Sequence, residues 1–520
     1  METLNITLEV INLLVMIMAL CLSTFVSLHM FQLNSYQLKS HFNRLKQKPG
    51  QIVPNIIFGA AGIASVFMNL TAALVYTNCL FIIAMLVNRP KKAKKPLVIT
   101  ARVKRQTVVF VLFYSIIIAI PDVCYGTIGR IIVISALYIA MPLSLAATAL
   151  ICKPIEKYIS NGFIKDAKRI LASKPDMRII GVTGSYGKTS VKYYLNTLLK
   201  AKYNVLMTPG SFNTPMGVVR TIREHLRATH EIFVCEMGAR HVGDIKEICD
   251  IVHPHDGIIT SVGPQHLETF YTLDNIKKTK FELADALDND GLLFANMDDE
   301  NVADCCKGRK YIGYGINNKE GYYAENISVS ERGTKFTAVS PTGEKCEYNT
   351  KLIGMHNVLN IVGAIAVANT YGIPMESLKS QVRKLECVPH RLELKDHGNV
   401  AIIDDAYNSN PSGAKAALEV FGVFDGYRIL VTPGMVELGE KQYECNYEFG
   451  ANAAKVSDFV ILVGKKQTES IYAGLTDSGY PKEKIYVAST IEEAINKAYS
   501  INSQGRKKFI LLENDLPDNY

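Results

Sequence analysis

Apolar residues crowd into four stretches of the first third of the chain, residues 6–32, 52–88, 107–121 and 131–151, and afterwards recur only in short runs. Residues 6–32 are long enough to cross a hydrocarbon layer about 30 Å thick and carry only Glu9 and His29 as ionisable groups. Residues 52–88 are too long for one crossing and read as a tight helical hairpin turning near Tyr76 to Asn78. Residues 107–121 and 131–151, separated by PDVCYGTIGR, give two more, so the pattern predicts a membrane domain of about five helices over residues 1–152. A cleaved signal peptide at 1–32 is disfavoured, because no basic segment opens it and further apolar spans follow. Lys39, Arg44, Lys46 and Lys48, and the run RPKKAKKPLVITARVKR at 89–105, flank these spans. The positive-inside rule puts both basic loops in the cytoplasm, the N-terminus outside and everything after Lys153 inside.

An amphipathic connector at 153–177 leads into a different pattern. Apolar runs at 178–183, 231–236, 257–262 and 291–296 alternate with helical periodicity at 187–201, 215–227, 242–250 and 274–287. Such alternation predicts a parallel sheet with helices on both faces. Residues 321–350 read as an antiparallel appendage, and a second alternating series has strands near 399–404, 427–432, 457–463, 484–488 and 508–513. The predicted fold is an α-helical membrane domain followed by two α/β domains. One is a P-loop parallel-sheet ATPase domain at 178–388, and the other a Rossmann-like domain at 389–520.

Composition adds little to this division. The 520 residues are 48% hydrophobic, and the excess lies before residue 152. The net charge of +8 is largely carried by the juxtamembrane loops, which favours anionic lipid over nucleic acid as a contact. Eleven cysteines show no zinc spacing and fit reduced thiols, and without tryptophan any aromatic belt rests on Tyr and Phe.

The chemistry begins at IIGVTGSYGKTSVKYYLNTLL, residues 179–199, a buried strand, a glycine-bearing turn and a helix opening with Lys188 and Thr189. Backbone N–H groups from Gly184 to Lys188 can wrap phosphate oxygens, the helix N-terminus adds a favourable dipole, and Lys188 adds a point charge. Thr189 then offers its hydroxyl to Mg2+. Val182 replaces the first glycine of the general phosphate-loop pattern, leaving T-G-x-x-G-K-T. A plain glycine turn is the bland alternative. The position between a β-branched run and an amphipathic helix favours nucleotide phosphate.

Further along come EIFVCEMGARHVGDI, HLETFYTLDNIKKTKFEL, ANMDDENV, IGMHNVLNIVGAIAVA, VPHRLEL and IDDAYNSNP. In this order the series resembles the Mur ligase family of ATP-dependent amide-forming ligases over roughly residues 178–500, most closely its D-alanyl-D-alanine-adding branch. The resemblance implies that Thr183, Gly184, Ser185, Tyr186, Gly187, Lys188, Thr189 and Ser190 hold the ATP phosphates. It implies two Mg2+ ions, with Thr189, Glu236, His266 and Lys280 as metal-binding positions and Lys280 carbamylated. Asn213 would lie near the transferring phosphoryl group, Asn296 would contact adenine, Arg391 the phosphates and Asp405 the ribose.

Taken singly, each has a plainer reading: His266 as a strand-end hydrogen bonder, Lys280 as a solvated helix face, Asp405 as part of a turn, Arg391 as a surface cation. The implied reaction activates a carboxylate as an acyl phosphate, which an amine then displaces. The chain departs from the family in two places. Membrane spans stand where a UDP-sugar domain is usual, and FILLENDLPDNY replaces a Lys-Gly-Ser motif, offering Glu513 and Asp515 to an amino group. The expectation is a multi-pass membrane ligase with cytoplasmic catalytic domains, which joins an amino acid or short peptide to a carboxylate on a lipid-linked or cell-surface polymer precursor. The alternatives are a tethered UDP-muramoyl-tripeptide ligase and a non-catalytic nucleotide-binding scaffold.

Overall fold

A computed structural model describes residues 2–47, 49–90, 96–407 and 409–515. Expectations resting on Lys48, on 91–95 of the basic loop, on Asn408 and on 516–520 lie outside the described residues. The chain divides into two units, one ending at Gly162 and the other starting at Phe163.

The first unit is helical: α1 (Glu2–Leu33), α2 (Leu38–Gln47), α3 (Val53–Ala64), α4 (Leu70–Val87), α5 (Ala101–Ile139) and the start of α6 (Met141–Ala172). Among the described residues three helices are long and apolar enough to cross a bilayer, Asn5–Leu33, Leu70–Val87 and Ala101–Ile139, the last of them interrupted at Gly126. The hairpin within 52–88 forms, but it turns at Ser65–Asn69 instead of Tyr76–Asn78. There the Ser65 hydroxyl donates to Gly62 O (2.7 Å) and the Asn69 side chain caps α4 through Ala72 N (2.9 Å), cues that an unbroken apolar run hides. Thr77 and Asn78 lie inside α4, where both accept from Asn12 of α1.

The stretches 107–121 and 131–151 do not form separate helices with the expected limits, since α5 runs through 101–139 and α6 continues past 152. Yet α5 doubles back on itself at Gly126, whose φ of 61° and ψ of −150° break the helix. In a straight helix eight residues span about 12 Å, whereas Arg130 meets Asp122 at 3.2 Å and a Cβ on Gly129 would sit 2.5 Å from Pro121 O. Farther down the two arms, Tyr114 reaches Met141 Sδ (3.5 Å) and Arg105 forms a bidentate pair with Glu156 (2.7 and 2.8 Å). Gly59 and Gly62 of α3 let the returning arm approach closely at Ser135 and Ile139. The connector 153–177 is helical to Ala172 as the continuation of α6.

In the second unit β1 (Arg178–Thr183), β2 (Val205–Met207), β3 (Ile232–Glu236), β4 (Asp256–Ile259), β5 (Leu293–Asn296), β6 (Ile312–Gly315), β7 (Tyr322–Ser330), β8 (Gly333–Val339) and β9 (Lys345–Thr350) form one sheet. Its order is β2-β3-β1-β4-β5-β6-β7-β8-β9, parallel as far as β7 and antiparallel beyond. The appendage at 321–350 thus extends the main sheet. One face is covered by α7 (Lys188–Leu199) and the helix Met355–Thr370, the other by the end of α6 and the helices Pro215–His225 and Asp244–Val252. A second sheet comprises β10 (Glu393–His397), β11 (Val400–Asp405), β12 (Tyr427–Thr432), β13 (Phe459–Val463), β14 (Ile485–Ala488) and β15 (Lys508–Glu513), in the order β10-β11-β15-β12-β13-β14. Only β10 runs antiparallel to its neighbour. In both sheets several predicted site residues, among them Glu236, Asn296 and Asp405, sit at carboxyl ends of parallel strands, where open α/β sheets leave a crevice.

Candidate active site

The turn from β1 into α7 is shaped by two glycines. Gly187 has a left-handed φ of 78° and lies against Asn360, whose Oδ1 would be 2.8 Å from an added Cβ. At Gly184 a Cβ would run into Thr260, whose hydroxyl already donates to Tyr186 O. Ser185 Oγ bridges to Gly263 (3.0 Å to both O and N), Tyr186 N donates to Ser261 Oγ (2.7 Å), and Thr183 Oγ1 donates to Met237 O (2.9 Å). Ser190 follows in the first turn of α7, whose Tyr194 hydroxyl donates to Asn357 Oδ1 (2.7 Å). The loop is therefore fixed from several sides.

Lys188 Nζ donates to Gly184 O (2.5 Å) and Ser185 O (3.0 Å). Burial pushes its ammonium down to about 8, with Glu236 opposing that shift and Arg391 adding to it. Glu236, at the end of β3, accepts from Thr189 Oγ1 (3.2 Å) and Asn213 Nδ2 (3.0 Å) on Oε1. On Oε2 it pairs with Lys192 at 2.9 Å, and both side chains are at most 1% exposed. Burial alone would raise the Glu236 carboxyl, but Lys192, Lys188 and Asn213 more than offset this and hold it below the usual range. Lys192 also donates to Gly210 O (2.5 Å), tying down the loop that carries Asn213.

Lys280, on the helix Leu273–Asp285, is buried and has no carboxylate within ion-pair reach among the described residues. Burial, then the positive charge of Lys188, holds its amine well below the ordinary lysine range. Its place fourteen positions after the histidine of HLETFYTLDNIKKTKFEL, not the local sequence, marks this residue, because IKKTK alone reads as solvated helix. His266 has φ 53° and places Nδ1 2.5 Å from Glu437 Oε2. Burial lowers the His266 pKa more than Glu437 raises it, while His266 helps keep Glu437 below the carboxylate range against its own burial. A neutral imidazole beside an ionised carboxylate donates from Nδ1, leaving the Nε2 lone pair free for a metal.

Arg391 stacks 4.4 Å over Tyr407, and its charge acts on both Lys188 and Asp405. Asp405 Oδ1 accepts from Leu392 N (3.2 Å); burial first, and Glu513 next, raise its pKa to about 8. Asn296 donates to Thr260 O (2.8 Å) and accepts from Asp298 N (3.1 Å), which places it beside the loop with its amide largely engaged. Glu513 is buried and bonded by Ser409 and by Thr432 (2.8 Å), and Asp515 N donates to Tyr407 O (3.3 Å). The structure thus places Glu236, His266, Lys280 and Arg391 within electrostatic reach of Lys188, hydrogen-bonds Thr189 and Asn213 to Glu236, and sets Asp405 within reach of Arg391 and Glu513. Glu236, Thr189 and Asn213 offer hard oxygen donors of the kind Mg2+ prefers, so the residues present fit a divalent cation bound with phosphate.

Two functional residues escaped sequence reasoning. Lys192 stands four residues after Lys188 and reads as a polar helix position, and Glu437, in GMVELGEK, reads as loop.

Residues 182–368 match the Mur ligase middle domain and residues 390–512 the domain described as Mur ligase, glutamate ligase domain. The UDP-N-acetylmuramoyl-tripeptide–D-alanyl-D-alanine ligase of Escherichia coli is 30% identical over 335 residues, 62% of this chain and 74% of that protein. The Bacillus subtilis enzyme of the same name is 33% identical over 277 residues, and this chain spans only 60% of its length. Among solved structures, MurF from Acinetobacter baumannii aligns with a TM-score of 0.62 and 25% identity over 68% of this chain and 77% of that one. MurF from Thermotoga maritima in complex with ADP aligns with a TM-score of 0.61 and 26% identity, over 68% and 80%.

Proposed function

Because this chain belongs to the Mur ligase family of ATP-dependent amide-bond ligases, we propose that it is a membrane-anchored member of that family. In this reading it joins an amino acid or short peptide to a carboxylate of a cell-envelope precursor carried on a lipid. The observation that carries the catalytic half is the cluster of Thr189, Asn213 and Lys192 around the buried Glu236 carboxylate beside Lys188. The membrane half rests on the apolar helices that precede the matched domains.

Thr183 to Ser190 wrap the ATP phosphates, and Lys188 stabilises the negative charge that builds as a substrate carboxylate attacks the γ-phosphate. Thr189 and Glu236 would hold one Mg2+, and His266 and Lys280 a second; bound ions would supply charge neutralisation. Lys280 suits this role because burial, and then the charge of Lys188, disfavour its ammonium form. Adding CO2 forms an N–C bond, releases a proton to solvent and turns the amine into a carboxylate-like ligand. Asn213 positions the transferring phosphoryl group, Arg391 meets the phosphates from the C-terminal domain, Asn296 faces adenine and Asp405 the ribose. Assembly from two domains shields the acyl phosphate from water until the amine displaces phosphate. The catalytic unit then lies on the cytoplasmic side, where ATP is present.

The likeness to UDP-muramoyl-tripeptide ligases at 30–33% identity favours a second reading, that same reaction carried out by a tethered enzyme. Mass spectrometry of lipid-linked and UDP-linked precursors, from cells with and without this protein, separates the two. Accumulation of a lipid-linked glycan lacking one amino acid or peptide supports the first. Accumulation of UDP-muramoyl tripeptide replaces it with the second.

A further inference from the structure

The helical unit holds a cavity of about 300 Å³ where the end of α1, the start of α2, the first turns of α5 and the middle of α6 meet. Phe31, Leu38 and Leu150 line it with apolar surface, and Arg102, Gln106 and Lys153 line it with donors. Arg102 and Gln106 are four residues apart on α5 and so share one helix face. The guanidinium of Arg102 is fixed 4.0 Å over the ring of Tyr36.

Among the described residues neither Arg102 nor Lys153 has a carboxylate within ion-pair distance, because nearby Glu156 is committed to Arg105. Gln106 is only 2% exposed, and its Nε2 has no hydrogen-bond partner among the described residues. A buried amide donor left without an acceptor is costly, and an anion in the cavity would both accept from it and meet the guanidinium of Arg102 and the ammonium of Lys153. The apolar wall calls for a chain attached to that anion. The basic residues of α2 and of α5's first turns lie at this same end of the unit, which puts the cavity at headgroup depth of the cytoplasmic leaflet.

We infer that this cavity is a binding site for the phosphate of an acidic lipid. The phosphoryl oxygens accept from Arg102, Gln106 and Lys153, and the hydrocarbon chain lies along Phe31, Leu38 and Leu150. The inference rests on the membrane-anchored reading above and adds to it a place where a lipid-linked substrate, or an acidic lipid that orients the enzyme, is gripped.

The test uses the full chain in phosphatidylcholine nanodiscs containing phosphatidic acid, with retained lipid counted by native mass spectrometry. Phosphatidic acid should be retained preferentially by the parent chain, and the R102Q/K153Q variant should lose retention by about thirtyfold, as expected for two cationic contacts. K153Q alone changes an exposed residue, cannot compromise folding, and should lose part of it. Equal retention by parent and K153Q, or equal retention of phosphatidylcholine and phosphatidic acid, overturns the site. Displacement by inorganic phosphate would mean that a free phosphate group is the occupant and overturns the lipid assignment. ATP-dependent ligation is measured on the same samples. Lost retention with ligation of a soluble acceptor intact isolates the cavity, whereas intact retention without ligation counts against the catalytic reading alone.

Discussion

Replacing Lys192 with Met tests whether a buried lysine sets the state of the Glu236 carboxylate. The pair is 2.9 Å apart and at most 1% exposed, so neither charge has water to fall back on. Removing one partner of such a pair costs about 3–5 kcal/mol. Glu236 has one escape, which is to take up a proton, and at pH 7 that costs an ordinary carboxyl about 3–4 kcal/mol. Both routes converge on a loss of about 3–4 kcal/mol at pH 7, and the orphaned Gly210 carbonyl adds to it. Pulse proteolysis of the full chain in urea measures this, since the second unit yields distinct fragments. The double variant K192M/E236Q removes both charges and should recover at least about 2 kcal/mol of the loss, while staying inactive because the carboxylate proposed to bind metal is gone. In K192M itself the concentration of Mg2+ needed for half-maximal ATP turnover should rise. A loss under about 1 kcal/mol in K192M, or a double variant no more stable than the single one, would refute the reasoning.

Lys280→Ala should lower ligation by about 10²–10³-fold with little loss of stability, because an uncompensated buried amine is itself costly; short carboxylates should restore part of the rate, and a non-catalytic scaffold would show no change in ATP turnover at all. Asp405 has a raised folded pKa of about 8, so it binds a proton that the unfolded chain has released, and its contribution to stability falls as pH rises from about 4 to about 8. Asp405→Asn should remove that fall, so its stability relative to the parent should increase between pH 5 and pH 8 in denaturant titrations, while its KM for ATP rises. Glu437→Gln should weaken apparent Mg2+ affinity by about 10–100-fold, as expected for a group that orients a ligand, with a smaller effect on binding of ATP measured without metal; unchanged metal dependence would remove Glu437 from the site.

Much of the catalytic fold is legible in the chain because parallel strands buried on both faces read as continuous apolar runs: β1, β12 and β15 lie where the pattern puts them. The three-residue β2 and the edge strand β10 are not, since one is too short for any periodicity and the other, ELKDH, is too polar. The hairpin reversals at Ser65–Asn69 and Gly126 are signalled by single small or capping residues inside apolar sequence, which a hydropathy pattern averages away. In the site, Lys188 and Thr189 announce themselves by local sequence, but Glu236, His266 and Lys280 emerge only from their order and distances along the chain. Lys192 stayed hidden because burial of a charge is a tertiary property: nothing in SVKYY reveals that Glu236 will lie opposite it.

His266 and Glu437 belong to different catalytic domains, yet a single short hydrogen bond joins them, with both residues held at positive φ. The tautomer and aim of the imidazole are therefore set by a group that is in place only when the C-terminal domain is docked. Thermodynamic linkage makes the relation reciprocal: if docking tightens metal binding at His266 by some factor, metal tightens docking by the same factor. If His266 binds metal as proposed, one hydrogen bond of this kind would let the enzyme register domain docking and ion binding in a single equilibrium.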